Sequence, residues 1–156
     1  MYEPLTNFWQ QLQHEGNYIY KQLQQLKSRY PDPSSAKGLF LDAKESINDL
    51  KIDAKDRAVA FYIVNKCSFS GLTESSSFSK QASDSNFSMR GIERIPGFSQ
   101  LIERWKITGL SYEDMLSDEK NVFTYLDPPY DIKDNLYGKK GDMHKSFDHD
   151  QFAHNC

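Results

Sequence analysis

The stretch Val122-Phe123-Thr124-Tyr125-Leu126-Asp127-Pro128-Pro129-Tyr130 decides the fold expected for this chain of 156 residues. Its first five residues are aliphatic, β-branched or aromatic, and the two prolines after Asp127 cannot donate to a β-ladder. The pattern predicts a buried strand over 122–126 that ends in a rigid turn. Ligands bind at the carboxyl ends of strands in open α/β sheets. The candidate site residues are therefore Asp127, Pro128, Pro129 and Tyr130.

A second strand is expected just upstream, over residues 105–108, followed by one or two helical turns over 112–116. Strand, helix and strand in this order predict a parallel α/β sheet. Downstream, Phe147 and Asp148 indicate the start of a helix with Asp148 as its N-cap.

Two helices are predicted within the first thirty residues, because apolar residues recur there every three or four positions. The recurring residues are Leu5, Phe8, Trp9 and Leu12, then Ile19, Leu23, Leu26 and Tyr30. Gly16 is expected to end the first helix and Pro31 the second. At this spacing Trp9 is interpreted as a core residue rather than an exposed stacking surface. A short mixed segment is expected after Pro31.

The middle of the chain combines a strong helix with a serine-rich segment. The helix is predicted from about Ala54 to Asn65, with Ala58, Phe61, Tyr62 and Asn65 on one face. Of the 21 residues from 68 to 88, nine are serine, and three phenylalanines are interspersed. This composition is typical of loops and hairpins. Two interpretations stay open: a solvated linker, or a surface that stacks on bases and pairs with phosphates.

Composition favours one soluble domain in a reducing cytoplasm. The longest apolar run, Ala58 to Val64, has seven residues, whereas a membrane span needs about 20. Two cysteines do not make a disulfide framework. The net charge of -3 does not exclude nucleic acid, since phosphate binding needs only a local basic patch. Residues 61–106 contain two more basic than acidic side chains.

The residues from Asp127 to Tyr130 suit chemistry on an exocyclic amine of a planar ring. The lone pair of such an amine is conjugated into the ring, so its attack on an electrophile needs acceptors for its N–H bonds. The Asp127 carboxylate and the Pro128 carbonyl can both accept from one amino group, and Tyr130 can stack on the ring.

Three parts of the sequence resemble one enzyme family. Phe123-Thr124-Tyr125-Leu126-Asp127-Pro128-Pro129-Tyr130 resembles the motif of N6-adenine DNA methyltransferases. Residues 58–72, AVAFYIVNKCSFSGL, resemble the start of target recognition in the Dam-like, D12 class. Residues 4–9, PLTNFW, resemble the segment just after that family's cofactor-binding loop. Together, in family order, they identify the chain as resembling a D12-class enzyme.

The resemblance implies an α/β fold: a partial Rossmann-like methyltransferase core with an inserted, mostly helical target-recognition region. Residues 1–53 would be the helical part of the core and 54–104 the DNA-binding region. Residues 105–156 would carry the core strands, the Asp-Pro-Pro-Tyr motif and the start of the next helix. It also implies S-adenosylmethionine as methyl donor, double-stranded DNA as partner and N6 of a flipped adenine as acceptor.

The resemblance assigns roles to single residues. Asp127 and Pro128 would polarise N6, Pro129 would fix the loop, and Tyr130 would stack on the adenine. Ser111, Tyr112 and Asp127 match positions near the cofactor. The matched DNA-binding positions are Lys66, a basic residue of the recognition region, Phe69 and Ser70, which wedge into the duplex, and Arg90, a phosphate contact.

Two departures from the family pattern are visible. Glu74 stands where some relatives carry a base-reading arginine, so the family's GATC specificity is not carried over. No pair of glycines is spaced to form the family's glycine-rich cofactor loop. The chain is therefore expected to be a fragment with weak or no cofactor binding of its own. A second polypeptide could supply the missing segment.

Other functions remain as alternatives. The main rival is a catalytically inactive DNA-binding remnant of such an enzyme, and a second is methylation of RNA or of cytosine N4. A metal site is not expected, because His144, His149 and His154 recur every five residues and do not share a helix face. Cys67 is interpreted as a small core or loop residue rather than a nucleophile.

Overall fold

A computed structural model describes residues 2–71, 73–117, 120–129 and 147–156, and this part of the chain is mostly helical. The long helices are α1 (Glu3–Arg29), α2 (Pro33–Ser46) and α3 (Ala54–Cys67). The short helices are α4 (Lys80–Ser85), α5 (Met89–Ile92), α6 (Ile95–Leu101) and α7 (His149–Asn155). Single 3₁₀ turns cover Phe69–Gly71, Thr73–Ser75 and Glu113–Met115.

Helix α3 lies at the centre of the core. Every residue from 57 to 64 is buried, because this helix is apolar on nearly all sides. It begins at Asp53, whose side chain accepts a hydrogen bond from the Lys55 backbone N–H at 3.0 Å. Helices α1 and α2 both pack against α3, and α6 packs against α1. The prediction of a strong helix from about Ala54 is confirmed.

Helix α1 consists of two helical segments joined by a kink, in agreement with the predicted pair of helices. The backbone leaves helical geometry at Glu15, where φ is -119° and ψ is 23°, and resumes it immediately afterwards. The break lies one residue before Gly16, which was expected to end the first helix. The apolar stripe continues across the kink through Leu12 and Ile19, both of which are buried against the core. Packing of this stripe outweighs the low helix propensity of glycine.

Gly16 is needed because α6 crosses α1 at this point. A β-carbon at position 16 would lie 2.3 Å from the Ser99 Oγ and 2.5 Å from the Ser99 Cβ. No side chain larger than hydrogen fits between the two helices without moving one of them. The glycine therefore sets the distance between α1 and α6, and with it one wall of the cavity described below.

The polar side of α1 carries one ion pair to the core helix. The Nη1 of Arg57 donates to both carboxylate oxygens of Glu3, at 2.9 and 3.1 Å. Arg57 is buried, and Glu3 is more than half exposed. The pair fastens the start of α1 to α3. Among the described helices, α1 included, none combines the length and apolar character needed to cross a membrane.

Helix α2 was expected only as a short mixed segment. Asp32 caps it by accepting from the backbone N–H groups of Ser34 and Ser35, at 2.8 and 3.1 Å. Pro33 occupies the first helical position, where its missing N–H costs nothing. Phe40 and Ile47 from this region are fully buried against the core. The Asp-Pro start was the sequence signal for this helix.

The serine-rich segment is folded, so the interpretation as a solvated linker is wrong. Ser68 and Phe78 form an isolated antiparallel bridge, consistent with a hairpin. Phe87 is fully buried, and the Phe78 ring lies 5.6 Å from that of Phe40. Two of the three phenylalanines are thus structural, which leaves Phe69, 63% exposed, as the one available for contact.

The predicted strands do not form within the described residues, and the α/β core is not confirmed. Residues 105–108 and 122–129 have no regular secondary structure. The expectation that 122–126 is buried is wrong, since Phe123 is 89% and Tyr125 78% exposed. An apolar run becomes a buried strand only when neighbouring strands satisfy its backbone and cover its side chains. The part of the chain that the structure describes supplies no such neighbours.

The close approach at Gly16 makes the first prediction. Gly16→Ala is expected to lower the free energy of unfolding by about 1–3 kcal/mol, because the new methyl group overlaps Ser99. Urea unfolding followed by circular dichroism measures the change.

Gly38→Ala is the matched control. Gly38 is exposed on α2, and a β-carbon there would meet no atom within 4 Å. This substitution is expected to raise stability by about 0.5–1 kcal/mol through the better helix propensity of alanine. Equal gains from both substitutions would contradict the proposed contact between α1 and α6.

Candidate functional site

A cavity of about 560 Å³ opens between α1, α3 and the segment from residue 85 to 98. Helix α1 contributes only apolar and aromatic side chains to its wall, whereas α3 and residues 85–98 contribute both apolar and polar ones. The lining residues are Leu5, Phe8, Trp9 and Leu12 from α1, Phe61, Tyr62, Asn65 and Lys66 from α3, and Ser85, Asn86, Ser88, Arg90, Gly91, Arg94, Ile95 and Phe98.

The floor of the cavity is aromatic. The Phe8 ring lies 5.4 Å from that of Phe61 and 6.3 Å from that of Tyr62. Trp9 meets Phe8 edge to face at 5.4 Å. Trp9 is 38% exposed at the cavity, so its interpretation as a core residue is wrong. The apolar stripe of α1 is wider than the surface that α3 covers, and Trp9 lies at the edge of that stripe.

Three cations lie in the wall of this cavity. The Lys66 Nζ is 5.7 Å from the Tyr62 ring centroid, and the Arg94 guanidinium carbon is 5.3 Å from that of Phe98. Arg90 is exposed beside them. Among the described lining residues none is acidic, although the whole chain has a net charge of -3. The cavity is therefore a local positive site on an acidic protein.

Tyr62 provides a hydroxyl in the cavity wall. Burial raises the pKa of Tyr62 to about 12, and the charge of the Cys67 thiolate contributes in the same direction. A β-carbon on Gly91 would lie 3.3 Å from the Tyr62 oxygen, so the glycine lets the α5 backbone approach this hydroxyl. At neutral pH the group is protonated and can donate a hydrogen bond.

The wall formed by α5 is fixed by two buried side chains, one just before the helix and one at its end. The Ser88 side chain accepts from the Gly91 N–H at 3.3 Å and caps this helix. Phe87 and Ile92 are fully buried on either side of the cap. The Lys27 Nζ also lies 5.2 Å from the Phe87 ring centroid. Arg90 is therefore presented from a short but anchored segment.

The expected DNA-wedge residues lie on the turn that follows α3. The Phe69 backbone N–H donates to the Ser77 carbonyl at 3.2 Å, and Gly71 takes a positive φ of 69°. These features hold the exposed Phe69 ring on a defined loop. Ser70 belongs to the same 3₁₀ turn. Glu74 accepts a hydrogen bond from the Asn48 side-chain amide, so its carboxylate has a partner within the protein.

The residues expected to act on the amine lie in a separate, irregular segment. Asp127 is exposed, while Pro128 and Pro129 are half-buried. Tyr130 lies outside the described residues. The structure thus brings Lys66 and Arg90 together in one cavity, but none of the three described motif residues lines it.

The two residues expected near the cofactor have partners within the chain. The Ser111 hydroxyl lies within hydrogen-bond distance of the Glu113 carboxylate at 3.2 Å and of the Asp114 carboxylate at 3.3 Å. The Tyr112 ring packs edge to face against Phe152 of α7 at 5.0 Å, and its hydroxyl accepts from Asn155 at 3.2 Å. Both hydroxyls therefore have hydrogen-bond partners within the chain. Their role with a cofactor stays a prediction.

Helix α7 begins as the sequence predicted. The Asp148 side chain accepts from the Gln151 N–H at 2.8 Å, which confirms it as the N-cap. In the described residues no group of three or more His, Cys, Asp or Glu side chains is arranged to hold a metal ion. His144 lies outside those residues. Cys67 is fully buried in the core.

Sequence reasoning missed several residues of the cavity. No sequence motif assigns Arg94, Phe98 or Asn86 to a site. Arg94 contributes only to the positive charge balance of residues 61–106. A signal was present, because Arg90, Arg94 and Phe98 recur every four residues. That spacing fits one helical face, although the structure divides the segment between α5 and α6.

Comparison with known proteins gives one result. The family model described as D12 class N6 adenine-specific DNA methyltransferase matches residues 1–156, which is the whole length of the chain. The match covers the cavity and the segment with Asp127 alike. No curated protein matches the chain.

Because Tyr62 is buried, the free energy of unfolding is expected to depend on pH in the alkaline range. An unfolded chain releases this proton near pH 10, whereas the folded chain holds it to about 12. Because the unfolded state binds fewer protons in this window, the free energy of unfolding is expected to fall between about pH 10 and 12. A pKa difference of two units corresponds to a loss of at most about 2–3 kcal/mol in the free energy of unfolding.

Urea unfolding at several pH values measures this loss, and Tyr62→Phe is expected to reduce it. Tyr18 is the control, since a hydrogen bond to Asp56 raises its pKa to about 12 although it is only partly buried. Tyr18→Phe should change the slope less, because solvent screens that interaction. An unchanged alkaline slope in Tyr62→Phe would contradict the assignment.

Proposed function

The chain belongs to the D12 class of N6 adenine-specific DNA methyltransferases, and on this premise we propose that it methylates adenine in double-stranded DNA. The methyl group would come from S-adenosylmethionine and go to N6 of an adenine flipped out of the duplex. The observation that carries this proposal is that the family match runs through both the cationic cavity and Asp127-Pro128-Pro129.

The acceptor half of the reaction is assigned to the segment with Asp127. The carboxylate of Asp127 and the backbone carbonyl of Pro128 both accept from the N6 amino group, which draws its N–H bonds and makes the nitrogen lone pair available. Pro129 restricts the backbone next to them. Tyr130 stacks on the adenine, a contact worth about 1–3 kcal/mol. It offsets part of the few kcal/mol that flipping costs.

The DNA-binding half is assigned to the end of α3 and the segment that follows it. Lys66 and Arg90 pair with phosphates, and their shared position in an acid-free wall supports this role. The exposed Phe69 and its neighbour Ser70 enter the duplex from the turn after α3. GATC specificity is not carried over, since Glu74 stands where some relatives carry a base-reading arginine.

Of the three regions expected from the family, the first two would act together and the third would form a separate unit. Helices from residues 1–53 and 54–104 share one core, which supports their movement as a single body on DNA. Residues 105–156 would complete the methyltransferase core. The exposed side chains of Phe123 and Tyr125 support the proposal that strands from another polypeptide segment cover them and supply the cofactor loop.

A catalytically inactive DNA-binding remnant is the second candidate function. It is favoured by a specific contrast: the cationic cavity is built from packed helices, whereas the segment with Asp127 is exposed and unpaired in the described residues. A chain of this kind would retain recognition of DNA without transferring methyl groups.

Methyl transfer separates the two candidates. Duplex DNA and labelled S-adenosylmethionine are incubated with the chain, and label in DNA is counted. Asp127→Ala is expected to lower the rate at least about 100-fold, because an acceptor for the N6 hydrogens is lost. Asp42→Ala, an exposed carboxylate on α2, should leave the rate unchanged. DNA binding without any label transfer would instead support the remnant as the function of this chain on its own.

Binding of duplex DNA at several salt concentrations tests the phosphate contacts. Lys66→Gln and Arg90→Gln are each expected to weaken binding and to lower the salt slope by about one, since each removes one phosphate contact. Lys37→Gln is the control, because Lys37 is exposed on α2 and does not line the cavity. Fluorescence anisotropy measures the affinity. If all three substitutions weaken DNA binding equally, net charge alone determines the affinity, which would contradict a local interface.

A further inference from the structure

The cavity between α1, α3 and residues 85–98 has more binding features than phosphate contact requires. It combines a tryptophan, three phenylalanines, two asparagine amides, a protonated tyrosine hydroxyl and three cations. We propose that this cavity binds one unstacked nucleotide of the bound DNA, with the base against Trp9 and the phosphate on Arg94 and Lys66. The proposal rests on the proposed function, because it takes DNA as the partner.

The size of the cavity fits this occupant. Its volume of about 560 Å³ lies within the range of roughly 300–1,000 Å³ that is usual for small-molecule pockets. Surface contact with a phosphate backbone needs no such space, since side chains on a convex surface reach phosphates directly. The volume of the cavity therefore leaves room for a group that enters it, and a nucleotide is the part of DNA that can leave the duplex and do so.

The charge of the cavity selects an anionic ligand. Lys66, Arg90 and Arg94 all line it, and none of the described lining residues is acidic. Lys66 comes from the last turn of α3 and Arg94 directly precedes α6, so the cations are held on different helices around one space. A single phosphate between them would be attracted from both sides.

The aromatic and polar groups suit the base. Trp9 and Phe98 are 38% and 40% exposed, so both retain surface for a ligand. The Arg94 guanidinium lies against the Phe98 ring, which helps to hold its charge at the cavity for the phosphate. The side-chain nitrogen of Asn65 donates to the Gly71 carbonyl at 3.3 Å, which leaves its oxygen to accept from a base.

This pocket is separate from the site assigned to the reacting adenine. Asp127, Pro128 and Pro129 do not line it. The nucleotide in the cavity is therefore a second one, which would hold the duplex in an opened form while the target adenine reaches Asp127. Trp9 and Arg94 are its binding residues, and neither was assigned by the family resemblance.

Trp9 fluorescence gives a direct test. The chain has two tryptophans, and Trp105→Phe leaves Trp9 as the reporter without touching the cavity, since Trp105 does not line it. This variant is titrated with deoxyadenosine monophosphate, with deoxyadenosine, with a fully paired duplex and with a duplex carrying one extrahelical nucleotide.

Saturable quenching is expected with the monophosphate and with the duplex that has an extrahelical nucleotide. Deoxyadenosine should bind about tenfold more weakly than the monophosphate, because it lacks the phosphate. Arg94→Gln should raise the dissociation constant of the monophosphate about tenfold. Arg104→Gln is the matched control, since Arg104 is exposed and does not line the cavity, and should leave that constant unchanged.

The proposal is overturned by an absence of quenching or by quenching that Arg94→Gln does not weaken. Quenching by the free monophosphate alone, and by neither duplex, would assign the pocket to free nucleotides and overturn its role with DNA. Methyl transfer is measured on the same samples. Methyl transfer without quenching would overturn nucleotide binding in the cavity and support the methyltransferase activity. Arg94-dependent quenching without methyl transfer would support nucleotide binding and overturn the activity.

Discussion

The burial of α3 is the constraint on which the rest of the structure depends. Its residues from 57 to 64 are apolar on nearly every side, apart from Arg57, so the helix is stable only when it is covered all round. Helices α1 and α2 supply two sides, and the folded serine-rich segment closes another through Phe87. The buried charge of Arg57 is paired with Glu3 through Nη1, which ties the start of α1 to the start of α3.

The candidate DNA-binding surface follows from where this packing stops. The apolar face of α3 ends at Cys67, so Lys66 emerges at the rim while Tyr62 remains buried one turn earlier. The contact of Gly16 with Ser99 holds α6 close to α1, and the segment just before it carries Arg90 and Arg94 to the same rim. A positive cavity thereby forms on a chain of net charge -3, where it can attract a nucleic acid without a generally basic surface.

The recognition part and the part that acts on the amine differ in how much of their structure is formed within the described residues. The recognition half is made of helices, whose backbone hydrogen bonds are internal, and it needs only side-chain packing to be complete. The half that acts on the amine depends on residues 122–129, whose apolar side chains and backbone require neighbouring strands. In the described residues those neighbours are absent, and the segment is exposed although its sequence is that of a strand.

The sequence by itself determined the family, the helix that begins at Ala54 and the cap at Asp148, because these depend on local motifs and local apolar content. It also identified Lys66 and Arg90, which the structure places in one cavity. Only the tertiary structure decided that Cys67 lies in the core, that the kink of α1 falls at Glu15, that Trp9 faces a cavity and that Arg94 and Phe98 join it. Periodicity shows which residues share a face, but the amount of that face that is covered depends on distant segments. For the same reason 122–126 has the composition of a strand without forming one, since pairing is a property of at least two segments.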